Sequence, residues 1–151
     1  MRIAGIVNDS IVDGPGLRYT IFSQGCSHNC PGCHNPETHS FDGGFEIDTE
    51  SIISEISKNP LLSGVTFSGG DPIEQPAPFL ELAKAIKKME LNIWMYTGYT
   101  YEELTSMHNP IIQELLSYVD VIVDGPYIES KRQLDLEFRG SSNQRIIKRE
   151  K

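Results

Sequence analysis

Residues 25–35 read Gly25-Cys26-Ser27-His28-Asn29-Cys30-Pro31-Gly32-Cys33-His34-Asn35 and contain all three cysteines of the chain. Their Cys-x3-Cys-x2-Cys spacing is not explained by core packing, because a buried cysteine gains nothing from two cysteine neighbours. The proline and the glycines predict a loop rather than a helix or a strand. Three soft sulfur ligands in one loop predict a metal centre with one coordination position left open.

Two kinds of metal centre fit this loop. A zinc site would need a fourth protein ligand, which His28 or His34 could supply. An iron–sulfur cluster is normally held by four cysteine thiolates. With only Cys26, Cys30 and Cys33, one iron of a [4Fe–4S] cluster would lack a side-chain ligand and could bind a small molecule instead. The spacing alone leaves both centres open.

Composition limits the class of protein. The chain has 151 residues, which suits a single domain with one core. No apolar run is long enough for a membrane span, and we expect neither a signal peptide nor membrane binding. The odd number of clustered cysteines predicts a reducing, cytoplasmic environment. A net charge of −8 argues against nucleic-acid binding, and the basic run 145–151 is interpreted as a solvated tail.

Strand and helix patterns alternate along most of the chain. Strands are predicted at Ile3–Val7, Leu17–Ser23, Gly64–Phe67, Asn92–Tyr96 and Val119–Val123, and helices at Thr49–Lys58, Ala77–Met89, after a Thr100/Glu103 capping box, and at Ile111–Tyr118. This alternation predicts βαβ units and a mainly parallel sheet. Further on, alternating apolar residues predict a half-buried terminal strand over 134–138, with a turn at 140–144.

Four glycine-bearing loops each follow a predicted strand: the cysteine loop, Ser68–Pro72, Thr97–Tyr99 and Asp124–Tyr127. In parallel α/β proteins such loops meet at the carboxyl end of the sheet, where ligands bind. A closed eight-unit barrel typically needs about 250 residues. We therefore expect an α/β fold in the form of a partial (βα) barrel of four to five βα units, open on one side.

Several of these loop residues also have a purely structural explanation. Asp71 can cap a helix that begins at Pro72. Tyr99 is interpreted first as a core or rim aromatic residue. Asp124 could bind ribose hydroxyls or simply fix the turn that follows it.

The cysteine spacing resembles that of the radical S-adenosylmethionine (SAM) superfamily. The resemblance implies a [4Fe–4S] cluster on Cys26, Cys30 and Cys33, with SAM chelating the open iron. Many members have an aromatic residue before the third cysteine, where this chain has Gly32. Contacts with the adenine are therefore expected from Gly32, Cys33 and His34.

The same resemblance extends to the later loops. Superfamily members carry a Gly-Gly-acid-Pro motif after their second strand, which assigns the SAM amino group to the backbone of Gly69 and Gly70, beside Asp71. Gly98 and Asp124 are expected to complete the SAM site. The SAM carboxylate needs a cation, and Arg18, Lys131 and Arg132 are the candidates.

A longer set of motifs narrows the family: Asp13-Gly14-Pro15-Gly16, residues 30–35, residues 68–72, residues 123–127 and Phe138-Arg139-Gly140-Ser141-Ser142-Asn143-Gln144-Arg145-Ile146-Ile147. Together they resemble the activating components of anaerobic (class III) ribonucleoside-triphosphate reductases. The resemblance implies an activase that forms a glycyl radical on the reductase large subunit, its protein substrate. It also implies a low-potential electron donor such as flavodoxin, and a homodimer or a heterotetramer with the reductase.

The domain assignment follows from the same resemblance. Residues 1–151 form a single radical SAM domain, with 128–151 as a C-terminal strand and turn extension. Two alternatives stay open. Pyruvate formate-lyase-activating enzymes share the cysteine loop but are longer and typically have Glu where this chain has Asp71. A zinc-stabilised binding module is the alternative that is not an enzyme.

Overall fold

A computed structural model describes residues 1–25, 43–126, 138–139 and 143–148 of the chain. Within these ranges one mixed sheet contains β1 (Arg2–Ser10), β2 (Arg18–Ser23), β3 (Phe45–Glu46), β4 (Gly64–Gly69), β5 (Asn92–Tyr96), β6 (Val121–Asp124) and β7 (Arg145–Lys148). The strand order is β3-β1-β2-β4-β5-β6-β7. Strands β2, β4, β5 and β6 are parallel, whereas β1, β3 and β7 pair antiparallel. The predicted α/β class with a mainly parallel sheet is confirmed.

The helices are α1 (Thr49–Ser57), α2 (Pro76–Lys88), α3 (Tyr101–Thr105) and α4 (Pro110–Tyr118), and a 3-10 turn covers Pro72–Glu74. The capping box at the start of α3 is confirmed, since Thr100 and Glu103 bond each other's backbone N–H groups. The Asn109 side chain caps α4 by accepting from the backbone N–H groups of Ile111 and Ile112. Within the described ranges, none of the helices combines the length and apolarity that crossing a bilayer requires.

The two faces of the sheet have different partners. Alternate residues such as Ile21, Phe67 and Met95 pack with helix residues in the main core. On α2 the inward positions predicted from helical spacing, Phe79, Leu82, Ala83 and Ile86, are all fully buried. The opposite face has a smaller cluster around Trp94, Val121 and Val123, with Phe138 against it. The described helices therefore pack on one face.

Strand register defines the two ends of the parallel strands. At one end Arg18 of β2 pairs with Gly64 of β4, and at the other end Ser23 pairs with Gly69. We call these the amino end and the carboxyl end of the sheet. Strands β2, β4, β5 and β6 are neighbours in chain order, so the residues that follow them lie side by side at the carboxyl end.

Two C-terminal predictions need correction, at Phe138 and at residues 145–148. Of the predicted strand 134–138, only Phe138 lies within the described residues, and its φ of +59° places it outside any strand. The last strand that the structure describes is β7, antiparallel to β6. Consequently Arg145–Lys148 is part of the sheet and not a solvated tail. Residues 140–142 of the predicted turn lie outside the described residues, while Asn143 does lie in a turn.

Candidate cofactor site at the carboxyl end of the sheet

The structure brings the predicted loop residues that it describes to one end of the sheet. Gly69 and Asp124 are the last residues of β4 and β6, and Gly70, Asp71 and Gly98 follow β4 and β5 closely. The cysteines Cys26, Cys30 and Cys33, together with Gly32 and His34, lie outside the described residues. The described residues that lead into the cysteine loop, Gln24 and Gly25, nevertheless have a fixed position, because they directly follow β2, which ends at Ser23.

The two ends of the cysteine-containing stretch lie next to each other. The Arg2 guanidinium donates a hydrogen bond to the Gly43 carbonyl at 2.9 Å, and the Gln24 backbone N–H donates to the Arg2 carbonyl at 3.2 Å. A Cβ placed on Gly43 would lie only 2.7 Å from Nε2 of Gln24. Gly25 and Gly43, the described residues on either side of 26–42, therefore both lie near the carboxyl end of β2.

Gln75, a residue without a predicted role, stabilises the start of the cysteine-containing stretch. Its Nε2 donates to the Arg2 carbonyl at 2.7 Å and to Oγ of Ser23 at 2.9 Å. Its Oε1 accepts from the Arg2 N–H at 2.9 Å. One side chain thus joins the start of β1 to the end of β2. A glutamine before a proline carries no sequence signal for such a role.

The turn after β4 lies directly against the end of β2. The Gly70 N–H donates to the Ser23 carbonyl at 2.7 Å, and the Asp71 N–H donates to the Gly25 carbonyl at 2.9 Å. Gly69 has a φ of +96°, and a Cβ there would lie 2.2 Å from the Ser23 backbone nitrogen. Only glycine permits this approach, which connects the Gly-Gly turn to the residue that precedes Cys26.

Asp71 joins the turns after β4 and β5. Its fully buried carboxylate accepts from the Ile73 N–H at 3.1 Å, which confirms the predicted cap. It also accepts from Oγ1 of Thr97 and from the Gly98 N–H, both at 3.0 Å. Burial of a carboxylate is tolerated when donors surround it in this way. The Asp71 oxygens are therefore engaged by the protein itself.

The turns after β5 and β6 are joined by backbone hydrogen bonds. The Thr97 N–H donates to the Val123 carbonyl at 3.1 Å, and the Gly125 N–H donates to the Tyr99 carbonyl at 3.0 Å. The Tyr99 side chain packs against the core and donates to Glu74 at 3.2 Å. The interpretation of Tyr99 as a rim aromatic residue is confirmed.

Asp124 is buried and paired with a cation. Its carboxylate accepts from the Tyr101 N–H at 2.7 Å and from Nε of Arg145 at 3.0 Å, and Nη2 of Arg145 contacts the second oxygen. Arg145 also pairs with Glu102 at 2.7 Å. These hydrogen bonds raise the pKa of Arg145, and the Arg145 hydrogen bond lowers the pKa of Glu102. The interpretation of Arg145 as part of a solvated tail is therefore wrong.

The two residues before Arg145 contact the same turn. Nδ2 of Asn143 donates to the Pro126 carbonyl at 2.8 Å, and Nε2 of Gln144 donates to the Gly125 carbonyl at 3.1 Å. The Asn-Gln-Arg part of the C-terminal signature therefore binds the turn after β6. These residues belong to a recognisable sequence motif, but the motif alone does not indicate that they contact the turn after β6.

Arg18 lies at the amino end of the sheet. It is fully buried, and it donates to Oγ1 of Thr66 at 2.7 Å and to the Val65 and Pro15 carbonyls at 2.9 and 3.1 Å. Its guanidinium also lies 5.7 Å from the Trp94 ring centroid. Burial lowers the pKa of Arg18 to about 10. One strand length, roughly 17 Å, separates it from the carboxyl end.

Arg18 is therefore not available for a SAM carboxylate at the carboxyl end. The other two candidates for that role, Lys131 and Arg132, lie outside the described residues.

The residues that are present fit an iron–sulfur cluster by the chemistry of their donors. Thiolates are the ligands of such clusters, and three of them leave one iron open. In the part of the chain that the structure describes, no three side chains of His, Cys, Asp or Glu lie together as a metal site. The predicted ligands are the cysteines of the stretch whose ends Arg2, Gln24 and Gln75 fix.

Comparisons with known proteins agree with this chemistry. Residues 12–147 match the family described as a 4Fe-4S single cluster domain. The match extends from the turn before β2 to β7, so it includes the cysteine loop and the three turns that follow β4, β5 and β6.

The chain is also similar to curated proteins over most of its length. It is 38% identical over 144 residues to the anaerobic ribonucleoside-triphosphate reductase-activating protein of Vibrio cholerae, covering 90% of both chains. It is 37% identical over 143 residues to the protein of that name from Enterobacteria phage T4, covering 89% of this chain and 86% of the phage protein. For Escherichia coli K12 the identity is 33% over 143 residues, covering 89% of this chain and 90% of that protein.

Proposed function

The chain belongs to the family of anaerobic ribonucleoside-triphosphate reductase-activating proteins, and from this premise we propose that it is a radical SAM activase. Its protein substrate is the anaerobic reductase, on which it generates a glycyl radical. The observation that carries the proposal is the hydrogen-bonded contact between the Gly69-Gly70 turn and the base of the cysteine loop, at Ser23 and Gly25.

The cofactor assignment follows from the cysteines. Cys26, Cys30 and Cys33 would hold the [4Fe–4S] cluster, and the open iron would take the amino and carboxylate groups of SAM. When bound, the cluster would supply one low-potential electron for reductive cleavage of the bond between the SAM sulfonium and its 5′ carbon, which would give methionine and a 5′-deoxyadenosyl radical able to take a hydrogen atom from a glycine α-carbon. The description of the matched family as a 4Fe-4S domain favours this assignment over the zinc-stabilised module.

The protein's own residues position SAM and exclude water. Gly69 and Gly70 present backbone at the end of β4, where no side chain blocks close approach of a ligand. Gly98 likewise presents backbone without a side chain, after the end of β5. Asp71 acts through these turns, because its carboxylate bonds Thr97 and Gly98. Gly32, Cys33 and His34 remain our proposed contacts for the adenine.

Topology supports a partial barrel. The four parallel strands are neighbours in chain order, and the described helices pack on one face. Parallel strands that neighbour one another in chain order, with their helices on one face, have the arrangement of a segment of a βα-barrel. We propose that residues 1–151 form one such domain and that its open side admits the glycine-bearing segment of the reductase.

The natural electron donor is proposed to be a low-potential protein such as flavodoxin, in the cytoplasm. Cluster potentials extend down to roughly −700 mV, so a donor of low potential is required.

The proposal is tested by radical formation on the partner. Anaerobically reconstituted, reduced protein is mixed with SAM and the anaerobic reductase, and glycyl radical is quantified by electron paramagnetic resonance (EPR). We expect a radical with the wild type and none with Cys26→Ala, Cys30→Ala or Cys33→Ala. His108→Ala, which changes a metal-capable residue outside the loop, serves as the matched control and keeps full activity.

Two results would contradict the proposal. The first is a radical that forms only when a pyruvate formate-lyase replaces the reductase. The second is a colourless protein that contains stoichiometric zinc and no iron or sulfide.

A further inference from the structure

The turns at the carboxyl end form a continuous series of hydrogen bonds. The turn after β4 bonds the end of β2, Asp71 bonds the turn after β5, and that turn bonds the turn after β6 through Gly125. A displacement of any one turn is therefore passed to its neighbours. The series begins at Gly25, next to the first cysteine.

The last turn in this series is bonded by the C-terminal segment, defined here as residues 143–148. Three successive side chains each bond a different group of the turn: Asn143 the Pro126 carbonyl, Gln144 the Gly125 carbonyl, and Arg145 the Asp124 carboxylate. The turn thus receives donors from outside its own βα unit. The contacts proposed above for SAM and the cluster involve none of these three side chains.

The Arg145 contact has the most demanding geometry. Two guanidinium nitrogens bond the two oxygens of Asp124, which is only 1% exposed, while the Arg145 side chain itself is half exposed. A planar guanidinium can make this two-pronged contact, and a lysine ammonium cannot. Asp124 also accepts from the first residue of α3, Tyr101. Arg145 therefore sets the position of Asp124 relative to both β7 and α3.

The C-terminal segment is itself fixed to the sheet. β7 pairs with β6 along its whole length, from Asp124–Arg145 to Val121–Lys148. Ile146 packs on the face of the sheet opposite the helices, where the Phe138 ring meets the Trp94 ring edge-on at 5.4 Å between centroids. These contacts make the segment a rigid support for the turn.

We infer that Asn143, Gln144 and Arg145 are positioning residues for the SAM site, with Arg145 the principal one. They fix the turn at 124–126, and through Gly125 and Tyr99 they fix the turns that contact SAM. The inference rests on the proposed function, because it specifies how one side of the same site is held in place.

The test separates SAM binding from turnover. Production of 5′-deoxyadenosine is measured against SAM concentration with the reduced, cluster-loaded protein and excess dithionite. For Arg145→Ala we expect the half-saturating SAM concentration to rise about 10-fold, with a maximal rate within about 3-fold of wild type, because a displaced turn weakens positioning before it affects the cluster. For Arg145→Lys we expect a half-saturating SAM concentration between those of the wild type and Arg145→Ala. For Gln144→Ala we expect this concentration to rise about 2-fold.

Lys148→Gln is the matched control, because it changes a cation at the other end of the same strand and should leave both constants unchanged. Iron content and circular dichroism are recorded for every variant. Should Arg145→Ala fail to fold, Asn143→Ala and Gln144→Ala each remove the side-chain hydrogen bond to the turn and carry the test.

Unchanged half-saturation in folded Arg145→Ala would overturn the inference. So would a loss of maximal rate that simply follows a loss of iron. A wild type that binds a cluster but cleaves no SAM would instead contradict the proposed function, and this separates the two failures.

Discussion

At the amino end of the parallel strands a cation, Arg18, is fully buried, whereas at the carboxyl end two anions, Asp71 and Asp124, are buried. Arg18 donates mainly to backbone carbonyls. The two carboxylates accept from the backbone N–H groups of Ile73, Gly98 and Tyr101. The charge at each end thus matches the backbone groups that need partners there.

The comparison supports our proposal of a ligand site at the carboxyl end of the sheet. Turns that lead from a strand into a helix expose N–H groups, which bind carboxylates and other anions. At the amino end the guanidinium bonds the Pro15 and Val65 carbonyls and lies 5.7 Å from the Trp94 ring centroid. The carboxyl end keeps glycine turns whose backbone is accessible to a ligand. The site follows from the direction of the strands.

The largest expected effect comes from the close backbone approach at the carboxyl end. Gly69 and Gly125 have nearly equal φ values, +96° and +95°, but a Cβ on Gly125 would meet no atom nearer than 3.7 Å, against 2.2 Å at Gly69. We expect Gly69→Ala to lower the free energy of unfolding by about 4 kcal/mol or more and Gly125→Ala by about 1–2 kcal/mol. Urea denaturation measures both. Equal losses would show that backbone approach is unimportant.

The amino end should be the next most sensitive. Arg18→Ala removes a buried side chain and leaves the Pro15 and Val65 carbonyls without its N–H donors. We expect a loss of about 3–4 kcal/mol in the free energy of unfolding. Lys58→Ala, at an exposed position, is the control and should cost less than about 0.5 kcal/mol. If Arg18→Ala lowered the free energy of unfolding no more than the control does, the buried guanidinium would not be needed for the stability of the amino end.

Removal of one carboxylate sharpens the comparison further. Asp71→Ala leaves the Ile73 and Gly98 N–H groups without their carboxylate, and we expect a loss of about 2–3 kcal/mol. Thr97→Val removes the hydroxyl that donates to Asp71 and accepts from the Tyr99 N–H, and it should cost about 1–2 kcal/mol. Because both changes break the same hydrogen bond, the double variant should cost less than the sum. Strict additivity in chemical denaturation would argue against this contact.

The smallest effect is a dependence on alkaline pH. Burial, and then the nearby Asp13 carboxylate, raises the pKa of Tyr96, and burial with a hydrogen bond to Glu55 raises the pKa of Tyr19. The unfolded chain therefore loses these protons first, so stability is complete below about pH 10 and falls above it. Arg18, whose pKa is lowered to about 10, acts in the opposite direction over the same range and limits the net loss.

Tyr96→Phe checks the sign of this effect. The variant should lose less stability than the wild type between about pH 9 and pH 11, by on the order of 1 kcal/mol. Tyrosinate absorbance at 295 nm should show fewer than the six tyrosines of the folded wild type ionising by pH 11. Simultaneous ionisation of all six near pH 10 would contradict the assigned burial.

Local rules predicted the parts of the fold that depend on neighbouring residues. The Thr100/Glu103 capping box, the Asp71 cap and the inward face of α2 are all confirmed. The bounds of the strands were also close, with β1 extending to Ser10 rather than ending at Val7. The meeting of the turns at one end of the sheet followed directly from the order of strands and helices.

Contacts between distant segments could not be predicted in this way. Arg145 bonds a carboxylate 21 positions earlier, which requires the antiparallel register of β7 on β6. Gln75 bonds Arg2 across 73 positions. Alternation over 134–138 resembled a strand, but the Phe138 ring packs on Trp94 from a residue with positive φ. Polar side chains have no periodic signal that identifies such partners.

The most direct test of the central claim is the EPR spectrum of the reduced, anaerobically reconstituted protein, recorded with and without SAM. We predict the signal of a reduced [4Fe–4S] cluster whose g values shift when SAM is added, because SAM binds the iron that the three cysteines leave open. A cluster signal that does not respond to saturating SAM, or no cluster signal at all, would contradict the account.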